Sequence, residues 1–223
     1  MALIVGHRGA AGYALGNTFA SFAEAIRRGC QQIELDVRQT KDGKLVVIHD
    51  AAIAGFFNTD FLVADLTHGE LDRVAQEQRF HVPTLAAVID FCRGKARLQI
   101  ELKLATEVAA VYHTVTQAQA LGDCSFSSFA EAALTLMRQL DHQVELVYLC
   151  KSYTPGMLRF AQAVSARYMG LPGAVLTLSL ITEMKQQGLL VYAYHVNDAV
   201  LGQQLIEWQV DALGTDFPSL FIS

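Results

Sequence analysis

The stretch Ile33-Glu34-Leu35-Asp36-Val37 alternates apolar and acidic residues with a period of two. On an extended strand both carboxylates then leave by the same face. Leu98-Gln99-Ile100-Glu101-Leu102-Lys103 repeats the device and puts Glu101 and Lys103 together on one face of a second strand. Carboxylates are costly to bury, and three that converge raise one another's pKa unless a cation joins them. A divalent ion held by Glu34, Asp36 and Glu101 removes that cost. An all-oxygen donor set suits Mg²⁺ or Ca²⁺ at roughly 2.0 to 2.6 Å, whereas zinc favours histidine or cysteine. The competing arrangement is a purely structural ion-pair layer with Lys103 as counter-ion.

His7 stands at the exit of one apolar run in Gly6-His7-Arg8-Gly9, and His49 at the exit of another in Ile48-His49-Asp50. Two imidazoles of near-neutral pKa beside a metal can share general acid and base work. Arg8 and Lys103 are the candidate phosphate contacts, one a planar fork and the other a point charge. A phosphodiester suits this set. A lone histidine has many duller uses, so the weight lies on the combination.

Something must bring these residues together. Short β-rich runs are read at Leu3 to Gly6, Gln32 to Val37, Leu98 to Lys103, Cys124 to Phe126, Glu145 to Leu149, Arg167 to Gly170, Leu190 to Tyr194 and Ala212 to Gly214. Helical spacing falls between them, over Thr18 to Arg28, Leu85 to Cys92, Glu107 to Leu121, Ala130 to Leu140, Pro155 to Ala163, Leu176 to Gln187 and Ala199 to Trp208. Gly29, Gly94, Gly122 and Gly188 stand where helix ends favour a residue tolerant of positive φ. About eight β/α units predict a (β/α)8 TIM barrel built as one domain over residues 1–223. The alternative, an open doubly wound sheet, lacks its Gly-x-Gly-x-x-Gly turn. From about residue 44 to 83 the rhythm breaks, with one strand-like run, Leu45 to Ile48, and a mixed aromatic stretch. This reads as a small insertion after the second strand, placed to cover a substrate at the barrel mouth.

The chain has 223 residues, 52% hydrophobic and 17% charged, with a formal net charge of −5. Those proportions describe a compact domain, and the absence of a basic stripe argues against nucleic acid. No apolar run is long enough to anchor the chain in a bilayer, and the first residues do not form a secretory leader. A cytoplasmic protein is expected. Four widely spaced cysteines, Cys30, Cys92, Cys124 and Cys150, read as reduced structural thiols. The oligomeric state is not legible.

Taken in order, His7-Arg8-Gly9, Asn17-Thr18, Glu34-Leu35-Asp36, Thr40-Lys41-Asp42-Gly43, His49-Asp50, Pro83-Thr84-Leu85 and Glu101-Leu102-Lys103 resemble the glycerophosphodiester phosphodiesterases. Ser127-Ser128-Phe129, Val196-Asn197-Asp198 and Thr215-Asp216-Phe217-Pro218 resemble that family's later strand ends. The resemblance implies a TIM barrel that hydrolyses small glycerophosphodiesters to glycerol 3-phosphate and an alcohol, using one divalent metal. It implies His7 and His49 as the acid and base, Glu34, Asp36 and Glu101 as metal ligands, and Arg8 and Lys103 on the phosphate. A cyclic phosphate formed by the glycerol 2-hydroxyl and then opened by water is the family's usual course.

Two departures qualify the resemblance. Most members carry glutamate directly before Asn-Thr, where this chain has Gly16, and the segment after His49-Asp50 has diverged to Ala51-Ala52-Ile53-Ala54-Gly55-Phe56-Phe57-Asn58. Phe56, Phe57 and Phe61 either wall the substrate or pack the insertion onto the barrel. His195 stands where small or hydroxylated residues are common. Rival readings are a lysophospholipase D or another phosphodiesterase on the same barrel, and a binding protein without turnover.

Overall fold

In the computed structural model, which describes residues 2–54 and 60–222, the chain runs β1 (Leu3–Gly6), α1 (Phe19–Arg27), β2 (Gln32–Gln39), β3 (Leu45–Val47), β4 (Ala52–Ala54), β5 (Asp60–Leu62), α2 (His68–Glu77), α3 (Leu85–Cys92) and β6 (Arg97–Leu102). It continues with α4 (Val108–Gln117), β7 (Cys124–Ser128), α5 (Glu131–Leu140), β8 (Glu145–Leu149), α6 (Pro155–Ala163), β9 (Tyr168–Pro172), α7 (Leu178–Gln186), β10 (Leu190–Tyr194), α8 (Ala199–Glu207) and β11 (Ala212–Thr215). Eight of the strands are mutually parallel in the order β1-β11-β10-β9-β8-β7-β6-β2, and pairing of β1 with β2 closes the barrel. The expected fold is the observed one.

Period-two patterning sorts the strand residues. Ile33, Leu35 and Val37 of β2 and Leu98, Ile100 and Leu102 of β6 are buried in the large apolar layer beneath the helices. Their alternates point into the barrel. There Val5, Val147, Leu149, Tyr192, Tyr194 and Ala212 form an apolar cluster. The β2, β6 and β7 wall is polar: Gln32 Nε2 donates to Ser125 Oγ at 3.0 Å, with Glu34, Gln99 and Glu101 also buried. One side of the interior is therefore solvated by protein dipoles and charges, and the chemistry stands there.

The region between β2 and β6 is more structured than its sequence suggests. β3 pairs antiparallel with β2, Val37 opposite Val47, and β4 and β5 form a separate hairpin. Helix α2 was not anticipated by the strand-and-aromatic reading. Its start is a capping box: Thr67 Oγ1 accepts from Glu70 N–H and Glu70 Oε2 accepts from Thr67 N–H. The signal lies in Thr67-His68-Gly69-Glu70 ahead of Leu71 and Ala75, which join Val46, Ile53, Val63 and Val82 in a small core. Phe61 lies on β5 and is half-exposed. Phe56 and Phe57 lie outside the described residues.

Gly29, Gly94 and Gly188 adopt the positive φ expected of them, and Gly122 does not. Helix α4 stops at Gln117 and the chain turns at Gln119, whose φ is 55°. The reversal is thus complete before Gly122, so the helix expected to run to Leu121 is shorter. Cys30, Cys92, Cys124 and Cys150 are free and buried. Burial pushes the thiol of Cys30 up to about 12 and that of Cys92 up to about 11. Among the described residues no helix is long and apolar enough to cross a membrane.

Candidate active site

The parallel register sets Asp36 beside Glu101 and Glu34 beside Gln99. Both β2 carboxylates and Glu101 face inward, at 3%, 1% and 9% exposure for Glu34, Asp36 and Glu101. A carboxylate oxygen from each lies within 4.8 Å of the other two. Burial, with the negative charges of Asp36 and Glu101, drives the Glu34 carboxyl well above its ordinary value. Burial also raises Glu101 against the pull of Lys103. At Asp36 burial acts upward too, but Lys103 and Arg8 outweigh it and hold the group low.

Lys103 Nζ lies 2.5 Å from Asp36 Oδ1 and 2.5 Å from Glu101 Oε1. Arg8 Nε lies 3.1 Å from Asp36 Oδ2, and the Arg8 backbone N–H donates to Glu34 Oε2 at 3.0 Å. Asn17 Nδ2 donates to the same Asp36 oxygen at 2.8 Å. Arg8 itself has φ 51°, an unusual value for a side-chain-bearing residue. Its carbonyl is pinned by Asn17 N–H at 3.0 Å and Ser21 Oγ at 2.8 Å, so its strained backbone is over-determined by its surroundings. Two cations meet three carboxylates, and this all-oxygen, charge-deficient set fits a hard divalent ion.

Each candidate histidine has its own carboxylate. His7 Nδ1 is 2.7 Å from Asp216 Oδ1, and its Nε2 is 4.0 Å from Glu34 Oε2. His49 Nδ1 is 2.7 Å from Asp50 Oδ1. An ionised carboxylate only accepts, so Nδ1–H is the donor in both pairs and Nε2 of the neutral ring is left basic. Burial works against the Asp216 carboxylate, but hydrogen bonds from His7 and Asn197 prevail and keep it below the usual range. Asn197 Nδ2 donates to Asp216 Oδ2 at 2.5 Å while its Oδ1 accepts from Asp216 N–H at 2.9 Å. Asp50 is exposed, so His49 is held from the solvent side.

Two cavities meet at this point, of about 580 and 380 Å³. His7, Arg8 and His49 line both. The smaller lobe includes Glu34, Glu101 and Lys103, with Lys151, Tyr194 and His195 across from them. The larger lies between the loop after β1 and the insertion, against Leu15, Ile53 and Phe80. All seven sequence-predicted site residues thus adjoin one mouth, Asp36 from beneath through Arg8 and Lys103.

Residues 7–220 match the sequence profile of the Glycerophosphoryl diester phosphodiesterase family. The chain belongs to that family. Among similar proteins, YhdW of Bacillus subtilis is 31% identical over 236 residues, covering 98% of this chain and 96% of the relative. The glycerophosphodiester phosphodiesterase of Bacillus altitudinis is 27% identical, with 98% and 96% covered. An Oleispira antarctica phosphodiesterase solved with the product sn-glycerol-3-phosphate superimposes with a TM-score of 0.87 at 25% identity, covering 97% of this chain and 93% of that one. As a glycerophosphoryl diester phosphodiesterase, the chain is a hydrolase of glycerophosphodiesters.

Within this phosphodiesterase Gly16 has a local consequence. A Cβ there would lie 3.0 Å from Arg8 Cβ and 3.3 Å from Arg8 Cδ. Gly16 therefore gives Arg8 the room in which it reaches Asp36. His195 packs on His7 with ring centroids 3.7 Å apart. One edge stays open to the mouth, yet lost hydration, and then the neighbouring His7, push its pKa down to about 4, so it is neutral at pH 7.

The partner that sequence reasoning left without a role is Asp216, together with Asn197 behind it. Both were in motifs resembling the family's strand ends, but nothing in the one-dimensional order ties residue 216 to residue 7. The tie is made by barrel closure, with Gly6 opposite Thr215. Asp216→Asn replaces an acceptor-only carboxylate beside His7 Nδ1 with a neutral amide whose NH2 can donate there and select the wrong imidazole tautomer. A kcat loss of about 10- to 100-fold is expected, with KM changed less than about twofold. Steady-state kinetics checks this, and a loss carried wholly by KM would instead make Asp216 a ground-state binding group.

Proposed function

We propose that the chain cleaves glycerophosphodiesters to glycerol 3-phosphate and a free alcohol with one divalent ion, Mg²⁺ or Ca²⁺, and a histidine pair. The observation that carries this reading is a buried acidic triad, two of whose members, Glu34 and Glu101, line one cavity with two imidazoles, each with Nδ1 on a carboxylate. Glu34, Asp36 and Glu101 would hold the ion. When bound, it would supply positive charge for a phosphate oxygen. Arg8 and Lys103, already fixed at the triad, add charge for the phosphate. One histidine takes the proton of the glycerol 2-hydroxyl through Nε2 as that oxygen attacks phosphorus, and the other, protonated, gives one to the leaving alcohol oxygen; water then opens the cyclic phosphate to glycerol 3-phosphate with the two roles exchanged. The product-bound Oleispira relative supports glycerol 3-phosphate as product.

In this reading the chain is one catalytic domain, and the insertion, through Ile53 and Phe80, supplies a wall of the cavity. The four free cysteines fit a reducing cytosol. The test of bond choice is ³¹P NMR of the products from glycerophosphocholine. Glycerol 3-phosphate with free choline is expected; phosphocholine with free glycerol would contradict the assignment.

A further inference from the structure

We propose that His195 is a positioning residue whose ring holds the His7 ring in the plane from which its Nε2 faces the acidic triad. This deepens the functional reading above and rests on His7 as an acid or base. The mechanism leaves His195 without a part of its own. Yet its ring centroid lies 3.7 Å from that of His7, with the two planes inclined by 36°. At that separation the rings are in direct contact.

His7 needs such a partner. Asp216 Oδ1 fixes Nδ1 at 2.7 Å, but one hydrogen bond leaves a ring able to rock about it, and the χ2 torsion of histidine is broad. Nε2 lies 4.0 Å from Glu34 Oε2, so a rocking ring would sweep the basic nitrogen across the triad. A surface packed on the ring limits that motion. Proton transfer depends on the limit, because a misplacement of about 1 Å can cost roughly a hundredfold in rate.

His195 is itself held. Tyr194 packs against it in a T-shaped contact with ring centroids 5.2 Å apart, and Tyr194 is pinned through its Oη, which donates to the Cys150 carbonyl at 2.7 Å. On the other side of His195, Val196 N–H donates to Gly214 O at 2.8 Å. Two positions on, the Asn197 side chain donates to Asp216 Oδ2 and accepts from Asp216 N–H. The segment after β10 therefore grips His7 twice, at its ring through His195 and at Nδ1 through Asp216.

What His195 contributes is a flat, uncharged ring. Among the described residues neither of its nitrogens joins a hydrogen bond or an ion pair, whereas the ring packs on His7 and Tyr194. A second imidazolium would repel the one that His7 becomes on taking a proton. Burial and the neighbouring His7 keep His195 neutral at pH 7.

The test is steady-state kinetics on glycerophosphocholine with Mg²⁺ for two variants. His195→Gln removes the flat ring, and His195→Phe keeps a ring but discards both nitrogens; His195 is exposed at the mouth, which leaves room for the larger side chain. His195→Gln should lower kcat about tenfold with KM changed less than about twofold, and His195→Phe should recover most of that loss. In a His7→Ala background His195→Gln should cost no more than about twofold further, because the ring it orients is gone. Full activity of His195→Gln overturns the proposal, as does a loss carried by KM. So does an equal loss in His195→Phe, which would assign the role to a nitrogen, or a tenfold loss that persists without the His7 ring, which would put His195 on the substrate. A crystal structure of His195→Gln gives a readout free of turnover. There His7 is expected to keep Nδ1 on Asp216 while its ring takes more than one tilt, and a single tilt identical to wild type overturns the proposal. No turnover by any form of the protein, with the His7 ring released as expected, refutes the functional reading alone.

Discussion

Alanine at His7 or at His49 lowers kcat on glycerophosphocholine at least about a hundredfold, the usual worth of a positioned acid or base. The two losses should not add. Proton removal and proton delivery belong to one passage over the barrier, so the double variant falls little below the poorer single one. Neither substitution should unfold the barrel. His49 lies at the rim with its side chain 40% exposed, and His7 is held at its backbone by Thr215 O at 2.9 Å whatever its side chain. The two sites differ in what each loss exposes. Without the His7 ring, Asp216 keeps Asn197 but faces the cavity with one oxygen unpaired, and His195 loses its stacking neighbour. His7→Ala should therefore be the less stable of the two in urea. Retention of full activity in both variants would remove the acid-base assignment.

Stripping the divalent ion, or replacing Glu34 or Glu101 with glutamine, should abolish turnover, a loss of roughly three orders of magnitude if the ion is worth several kcal/mol to the transition state. The same triad makes a prediction about stability that needs no substrate. Glu34 has its folded pKa raised well above 4.5, its ordinary value, so in the metal-free protein the folded state binds the proton more tightly than the unfolded state. Metal-free stability must then fall as pH rises from about 4.5 through that raised value. Asp36 is shifted the other way, and its contribution is lost only on acidification toward and below 3.8, outside this window. Glu34→Gln should flatten the slope and leave the metal-free protein as stable as wild type or more so at pH 7, while activity disappears. Urea midpoints across pH measure this. A rise in metal-free stability with pH over the window would show that the triad is satisfied without an ion.

Much of the site was legible because barrel strands translate sequence spacing directly into geometry. Glu34 and Asp36 share a face for no reason beyond the period of two, and Glu101 joins them because β2 and β6 are neighbours across one crossover. His7 and His49 could be placed at strand ends by the apolar runs that precede them. Asp216 could not be joined to His7, since 209 positions separate them and only closure of β1 on β11 brings them to 2.7 Å. Helix α2 carried its capping box in plain view, but its apolar positions serve a small local core and so gave a weak stripe. The commitment of Arg8 and Lys103 to carboxylates depends on side-chain reach, which residue order does not encode.

For this chemistry to run, the three carboxylates must hold an ion between the histidines. Crystals of the wild-type protein grown with Mn²⁺, a redox-quiet stand-in for Mg²⁺ with oxygen preference, allow the ion to be located by anomalous diffraction. The predicted result is a single strong peak in contact with oxygens of Glu34, Asp36 and Glu101, with Nε2 of His7 and of His49 facing it from either side. No peak at the triad, with Lys103 still bridging Asp36 and Glu101, would contradict it.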